Sequence, residues 1–176
     1  MQLLARVFLD SDREQTIAEL VEATGIPQQT VSREVDRLLQ AGLLSGRRVG
    51  RMHFVKPNVS NRYFPELSGL LLKALGPLPV LAEGLAKLEG IDEAYLFGSW
   101  ARRYRGETGP PPGDIDLVVV GAPDVDEVYE ACRRAGSILG QEINVVILAP
   151  EDWRAQDSGF VRDVRSRPLV PVEVAN

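Results

Sequence analysis

Apolar residues recur at helical spacing through the first part of the chain and then give way to the alternation typical of strands. The predicted elements, in order, are helices around Leu3–Phe8, Thr16–Gly25 and Gln28–Ala41, a β-hairpin formed by Leu43–Val49 and Met52–Lys56 with its turn at Gly50, and a connector helix that carries Leu67, Leu70, Leu71 and Leu75. The connector is apolar over a wide face. It could pack between domains or against a second copy, or simply on the first helix.

Gly76-Pro77-Leu78-Pro79 marks a boundary, after which strand and helix patterns alternate. The predicted elements there are a helix carrying Leu81, Leu85 and Leu88, a strand at 93–98, a helix at 99–104, a loop at 106–113, a strand at 114–120, a helix at 124–136, a strand at 142–148, short helices from Asp152 and around Phe160–Ser166, and an edge strand at Leu169-Val170. We therefore predict an α+β protein. Its domains would be residues 1–60, a connector at 61–76, and an α/β domain with a small mixed sheet at 77–176.

Charge is unevenly distributed. Residues 1–76 hold 10 basic and 8 acidic residues, whereas residues 77–176 hold 10 and 17. Between Gln28 and Arg62 there are 7 basic residues against 2 acidic ones, a local excess that favours nucleic-acid binding by the first half. Cys132 is the only cysteine, which excludes an internal disulfide and a cysteine zinc site. No apolar run approaches membrane-spanning length, so we expect a cytoplasmic protein without a membrane partner.

The third predicted helix turns its apolar residues to one side and leaves a polar face, which carries Gln28, Gln29, Thr30, Ser32 and Arg33. Helix, helix–turn–helix and hairpin follow in this order, with Ile17-Ala18-Glu19-Leu20, Thr24-Gly25-Ile26 and Ala41-Gly42-Leu43-Leu44 at the junctions. This pattern resembles a winged helix–turn–helix domain of the ArsR/MarR type.

The resemblance implies that the third helix enters a major groove of double-stranded DNA, with its polar face contacting bases or phosphates. The hairpin would be the wing, and Arg47, Arg48, Arg51 and Lys56 would contact phosphates. Such domains also dimerise to match two half-sites, so a homodimer is one expectation. A role restricted to dimerisation or protein docking is the alternative. His53, the only histidine, is expected on the wing surface rather than as a ligand.

Two short motifs carry the candidate chemistry of the second half. Gly98-Ser99 ends a predicted strand and opens a helix, a place where backbone N–H groups can receive phosphate, although Ser99 could also be a simple N-cap. Asp114-Ile115-Asp116 begins the apolar strand at 114–120, and its alternation puts both aspartates on the same face. Together the motifs predict a site for a nucleotide's phosphates and a divalent metal.

Gly98-Ser99 followed by Asp114-Ile115-Asp116 resembles the pattern of the nucleotidyltransferase fold, shared by kanamycin nucleotidyltransferase, DNA polymerase beta and minimal nucleotidyltransferases of toxin–antitoxin pairs. The resemblance implies that Gly98 and Ser99 bind the phosphates of a nucleoside triphosphate. It also implies that Asp114 and Asp116 are catalytic ligands of Mg²⁺ or Mn²⁺. Arg102, on the same helix as Ser99, could assist a phosphate.

The family also has a third carboxylate on a neighbouring strand, and here that position aligns with Asn144. An amide can coordinate a metal, but it supplies no negative charge and cannot act as a base. Glu142, two residues earlier and therefore on the same face, is the candidate replacement and the third predicted catalytic residue.

These features predict a DNA-binding transcriptional regulator whose second domain binds a nucleoside triphosphate and Mg²⁺. One alternative is an active nucleotidyltransferase that moves a nucleotide onto a protein or small-molecule hydroxyl. Another is a repressor whose second domain serves only as a dimerisation scaffold.

Overall fold

The computed structural model of the protein describes residues 2–10, 13–107, 112–155 and 157–174. These residues form two compact units, and the chain passes from the first to the second between Ala74 and Leu75. The predicted loop at 106–113 and the segment after Ala155 lie partly outside the described residues. The α+β class is confirmed, since each unit combines helices with its own small sheet.

The elements of the first unit are α1 (Gln2–Phe8), β1 (Gln15–Thr16), α2 (Ile17–Thr24), α3 (Gln28–Gln40), β2 (Leu44–Val49), β3 (Met52–Pro57) and α4 (Phe64–Leu75). A capping box begins α2, because Thr16 accepts from the backbone of Glu19 while the Glu19 side chain accepts from the backbone of Thr16. Gly25 then ends α2 in a left-handed conformation. Together these caps fix the turn that leads into α3.

A three-stranded antiparallel sheet, in the order β1-β3-β2, completes the first unit. The hairpin of β2 and β3 was predicted, but β1 was not, because two residues give no alternation to detect. Helices α1, α2 and α3 bury Val7, Leu20, Val31 and Val35 completely, which makes one helical core behind the hairpin. Phe8 stacks on Phe64 of α4, with 5.9 Å between the ring centroids. The connector therefore packs on the first helix, as one of the open alternatives expected.

The expectation that no apolar run approaches membrane-spanning length was wrong. Phe64–Leu85, a stretch of 22 residues that includes α4 and the helix after it, is long and apolar enough to cross a membrane by length and composition. This is weak evidence for a membrane span, because core helices pass the same test. Leu71 and Leu81 are buried within the protein, whereas Leu70 is 64% exposed.

The elements of the second unit are α5 (Pro77–Leu85), β4 (Ile91–Phe97), α6 (Gly98–Tyr104), β5 (Asp114–Gly121), α7 (Val125–Leu139), β6 (Glu142–Leu148), α8 (Pro150–Ala155), α9 (Gly159–Ser166) and β7 (Val170–Pro171). Their sheet has the order β6-β5-β4-β7. Because β5 is parallel to β6 and antiparallel to β4, the sheet is mixed, as predicted. The predicted edge strand is present at Val170–Pro171, one residue later than expected, and pairs with β4.

The two faces of β5 have different environments along the strand. Ile115, Leu117 and Val119 are fully buried on one face. On the other face, Val118 and Val120 pack with Trp153 of α8 and with Val161 and Val164 of α9. Asp114 and Asp116 precede these valines on the same face of β5, at the beginning of the strand.

Cys132 lies in α7 and is 5% exposed. Burial raises the pKa of its thiol to about 11, so the thiol stays protonated at neutral pH. Cys132 therefore behaves as a small core residue, as expected.

Candidate functional site

Gly98 and Asp116 lie in close contact where β4 ends and α6 begins. Gly98, the first residue of α6, has a φ of 68°, and Phe97 before it pairs with Asp116 across β4 and β5. A Cβ atom at position 98 would lie 2.2 Å from an Asp116 carboxylate oxygen. Both the backbone conformation and the neighbouring carboxylate therefore require glycine at this position.

Asp114 and Asp116 are joined through Asn144. The two aspartates begin β5, and the parallel register sets Asn144 of β6 beside Asp116. The Asn144 amide nitrogen donates to Asp114 Oδ2 at 2.9 Å and lies 3.4 Å from Asp116 Oδ1. One neutral donor is thus shared by two carboxylates that would otherwise repel each other.

Asp116 is half-buried, whereas Asp114 is exposed. Burial raises the pKa of Asp116 above its usual value, and the charge of Asp114 adds to this rise. The hydrogen bond from Asn144 and the charge of Arg102 oppose it. Asp116 is therefore a carboxylate whose negative charge is incompletely compensated by the protein, which is the condition a bound cation relieves.

Ser99 and Arg102 lie on α6, beside the aspartates. The N-cap of α6 is Phe97, and no side chain caps the helix, so the simple N-cap role considered for Ser99 is excluded. Arg102 lies near enough to Asp116 to influence its pKa and is 3.9 Å from Glu107. Gly98, Ser99 and Arg102 are thus placed on the same short helix that Asp116 contacts.

Glu142 lies on the same face of the sheet as Asp114 and Asp116 but does not form a metal-binding cluster with them. It pairs with Asp114 in the register of β5 and β6, and its side chain is exposed. Among the described residues, no three His, Cys, Asp or Glu side chains are arranged to hold a metal ion. The third predicted carboxylate therefore lies beside the aspartate pair without completing a three-carboxylate cluster.

Sequence reasoning missed Gln141, which connects two of the segments that form the site. Its side-chain oxygen accepts from the indole of the buried Trp100 at 3.1 Å, and its side-chain nitrogen donates to the Pro112 carbonyl at 2.6 Å. The residue thus ties α6 to the segment that enters β5. A lone glutamine at the start of a strand gives no sequence signal for such a role.

In the first unit, a cleft of about 600 Å³ lies between α3 and the hairpin. Among the residues that line it are Gln28 and Ser32 of α3 and Arg48 and Arg51 of the hairpin. His53 also lines the cleft, on the wing as expected. Four of the predicted DNA-binding residues are therefore brought together. Gln29, Thr30 and Arg33 are exposed on α3 but do not line this cleft.

Arg47 differs from the other wing cations. Successive strand residues point to opposite faces, so Arg47 faces away from Arg48. Arg47 packs over its cross-strand partner Phe54, with 5.0 Å from the guanidinium carbon to the ring centroid. It also forms a bidentate ion pair with Glu14, in which Nε donates to Oε1 at 3.1 Å and Nη2 donates to Oε2 at 2.6 Å. This pairing lowers the pKa of Glu14 and engages Nε and Nη2 of Arg47.

The contact between Gly98 and Asp116 gives a test of stability. Gly98→Ala is expected to lower the free energy of unfolding by about 1–3 kcal/mol, through left-handed strain and collision with Asp116. Gly140→Ala is the matched control, because Gly140 has a φ of 66° and a Cβ there would meet nothing within 4 Å. Urea denaturation of both variants measures the difference. Equal losses would show that the contact with Asp116 carries no cost.

The raised pKa of Asp116 gives a second test. Ionised Asp116 disfavours folding at neutral pH, because the folded state holds a proton more strongly than the unfolded state. In buffer without divalent cations, Asp116→Asn should therefore raise the melting temperature at pH 7. The gain should shrink as the pH falls toward the ordinary carboxyl pKa of 3.8.

The exposed residue Asp92 provides the control, because Asp92→Asn changes net charge equally but lies away from the aspartate pair. Differential scanning fluorimetry over a pH series measures both variants. An Asp116→Asn protein that melts below the wild type at pH 7 would contradict the prediction.

Comparison with known proteins gives two family matches. The model of the MarR family matches residues 6–51, and the model of the nucleotidyltransferase domain matches residues 78–166. No curated protein matches the chain.

Two solved structures are similar in part. One is a mutant of the toxin–antitoxin pair MntA–HpeT, with 19% identity, a TM-score of 0.34, and coverage of 56% of this chain and 70% of that one. The other is a tri-AMPylated Shewanella oneidensis HEPN toxin in complex with MNT antitoxin, with 20% identity, a TM-score of 0.32, and coverage of 55% and 66%.

The two family matches confirm the fused architecture that the motifs predicted. The first lies within the unit that contains α3 and the hairpin, and the second includes Gly98, the aspartate pair and Asn144. Since residues 78–166 make up just over half of the chain, the protein belongs to the nucleotidyltransferase domain family and carries a MarR-family domain before it.

Proposed function

We propose that the protein is a DNA-binding transcriptional regulator whose nucleotidyltransferase domain binds a nucleoside triphosphate together with Mg²⁺ or Mn²⁺. The observation that carries the proposal is the pair Asp114 and Asp116 at the start of β5, with Asp116 against Gly98 of the motif Gly98-Ser99. Two adjacent carboxylates beside a phosphate-binding motif suit Mg²⁺, which is usually held by one or two carboxylates and substrate phosphates.

Each residue of the site has a role in this proposal. Asp114 and Asp116 hold the cation, whose chemistry is to neutralise and orient the triphosphate. Gly98 leaves room for the Asp116 carboxylate against the start of α6, where the backbone N–H groups of Gly98 and Ser99 and the Ser99 hydroxyl would donate to phosphate oxygens. Arg102 adds positive charge beside the phosphates. The donor set fits a hard divalent cation, because both donors are carboxylate oxygens and the charge of the half-buried Asp116 is only partly compensated by Asn144 and Arg102.

Binding without transfer is favoured over the transferase alternative. Asn144 stands beside Asp116, and an amide cannot take the proton of an attacking hydroxyl. Glu142 would have to supply that base in an active transferase, with a protein or small-molecule hydroxyl as the acceptor. Because Glu142 is exposed and forms no three-carboxylate group with the aspartates, the geometry supports a binding domain better.

The DNA-binding role rests on the cleft between α3 and the wing. In this proposal α3 enters the major groove of double-stranded DNA, where Gln28, Gln29, Thr30, Ser32 and Arg33 contact bases and nearby phosphates. Arg48 and Arg51 contact phosphates from the wing side. A homodimer would bind two half-sites, and the 64% exposed Leu70 supplies apolar surface for it. Such a regulator acts in the cytoplasm.

The wing residues can be tested against one another. Arg48→Ala should weaken binding to a mixed-sequence DNA duplex and lower the slope of log affinity against log salt by about 1, because one phosphate contact is lost. Arg47→Ala should change the slope much less, because Glu14 already engages Arg47. Fluorescence anisotropy over a salt series measures both. Equal changes in slope for the two variants would show that Arg47 also contacts phosphate and would contradict the prediction.

Coupling between the two activities gives a further test. Affinity for the duplex should change by at least about fivefold when Mg²⁺ and a non-hydrolysable ATP analogue are added, if nucleotide binding biases DNA binding. In Asp114→Asn the effect should disappear, because the cation loses a ligand. Superimposed curves for the wild type would disprove the coupling. A rise in melting temperature with the same nucleotide measures nucleotide binding independently of DNA.

A further inference from the structure

Asn144 occupies the place on β6 where a side chain meets both aspartates at once. It is the parallel neighbour of Asp116, and its amide nitrogen lies 2.9 Å from Asp114 and 3.4 Å from Asp116. The nitrogen must face the carboxylates, because the opposite orientation would set the amide oxygen against two anions. Position 144 is therefore the place from which a third side chain reaches both aspartates.

The negative charge of the side chains at positions 114, 116 and 144 determines how many divalent cations they can bind. Asp114 and Asp116 together carry two negative charges when ionised, which one divalent cation balances. Asn144 adds a donor without adding charge, and Arg102 adds positive charge near Asp116. A second divalent cation would find no third carboxylate there, so its anionic ligands would have to come from the triphosphate alone. The protein thus supplies enough negative charge for one cation and none for a second, which weakens the binding of the second.

Glu142 does not supply the missing charge. It pairs with Asp114 rather than with Asp116, and it lies two residues before Asn144 on β6. Among the residues that the structure describes, Glu142 joins the aspartates in no group of three possible ligands. The side chain that contacts both carboxylates is that of Asn144.

We infer that Asn144 restricts this site to one divalent cation, so that the protein holds the nucleoside triphosphate intact. The inference rests on the proposed nucleotide site and specifies how many cations that site binds with the nucleotide. The amide of Asn144 fills the position from which an aspartate would hold a second, activating cation. The bound nucleotide is then a signal that is retained and released, not a substrate that is consumed.

Equilibrium dialysis of the full chain counts the cations directly. Mn²⁺ and a non-hydrolysable ATP analogue are present in both chambers, and the excess of each in the protein chamber gives manganese bound per nucleotide bound. The wild type should give a ratio of one, and Asn144→Asp should give a ratio of two. A ratio of two for the wild type, or of one for Asn144→Asp, would overturn the inference.

The failure of the proposed function is a separate outcome, because a wild type that binds neither Mn²⁺ nor nucleotide would remove the site itself. Asn144→Asp places a third negative charge beside the aspartates, so its melting temperature should fall below that of the wild type in chelator. Mn²⁺ should then raise the melting temperature of the variant more than that of the wild type.

A neutral variant keeps the test valid if Asn144→Asp does not fold. Asn144→Ala removes the shared donor without adding charge, so the aspartates repel each other more strongly in chelator. Mn²⁺ should therefore raise the melting temperature of Asn144→Ala more than that of the wild type. Equal shifts would show that Asn144 has no influence on the cation site. Asp92→Asn is the control, because it removes one exposed charge away from the aspartate pair, and it should leave both the wild-type ratio and the wild-type shift unchanged.

Discussion

The carboxylate of Asp116 lies against the Cα of Gly98, and the arrangement of the whole site depends on this contact. It sets the start of β5 directly against the start of α6, so the acidic motif and the Gly-Ser motif become one surface. Burial in this contact also raises the pKa of Asp116 and leaves its charge incompletely compensated. The protein thus holds a carboxylate that is unfavourable by itself and that the proposed cation would stabilise; carboxylates with a raised pKa are common at functional sites.

The wing shows how strand geometry divides residues that look equivalent in the sequence. Arg47 and Arg48 are consecutive, yet one packs on Phe54 and pairs with Glu14, whereas the other lines the cleft beside α3. Both roles are useful: the first holds the hairpin to the segment before β1, and the second leaves a guanidinium in the cleft. The local positive excess of the sequence therefore overstates the number of cations that face one direction.

Much of the fold, and the motifs that form the candidate site, could be predicted from the sequence. The period of the apolar residues placed α3, the hairpin and β5, and the two short motifs identified the family. The features that the sequence did not predict were either very short or depended on contacts between residues far apart in the chain. The strand β1 is too short to show alternation, and the pairing of Glu14 with Arg47 joins residues that are far apart in the chain. Gln141 and the two hydrogen bonds of Asn144 could be found only once the register of β5 and β6 was fixed.

The three positions around the aspartate pair differ in how freely they can change. Position 98 is restricted to glycine by its backbone conformation and by Asp116, and position 116 is restricted by its contact with Gly98. Asn144 is exposed on a strand, and aspartate has nearly the same size and shape as asparagine. Asparagine and aspartate codons differ by a single nucleotide. A gene for this protein is therefore one point mutation away from a third carboxylate at this site, so the proposed binding function and a catalytic one would be separated by a single substitution.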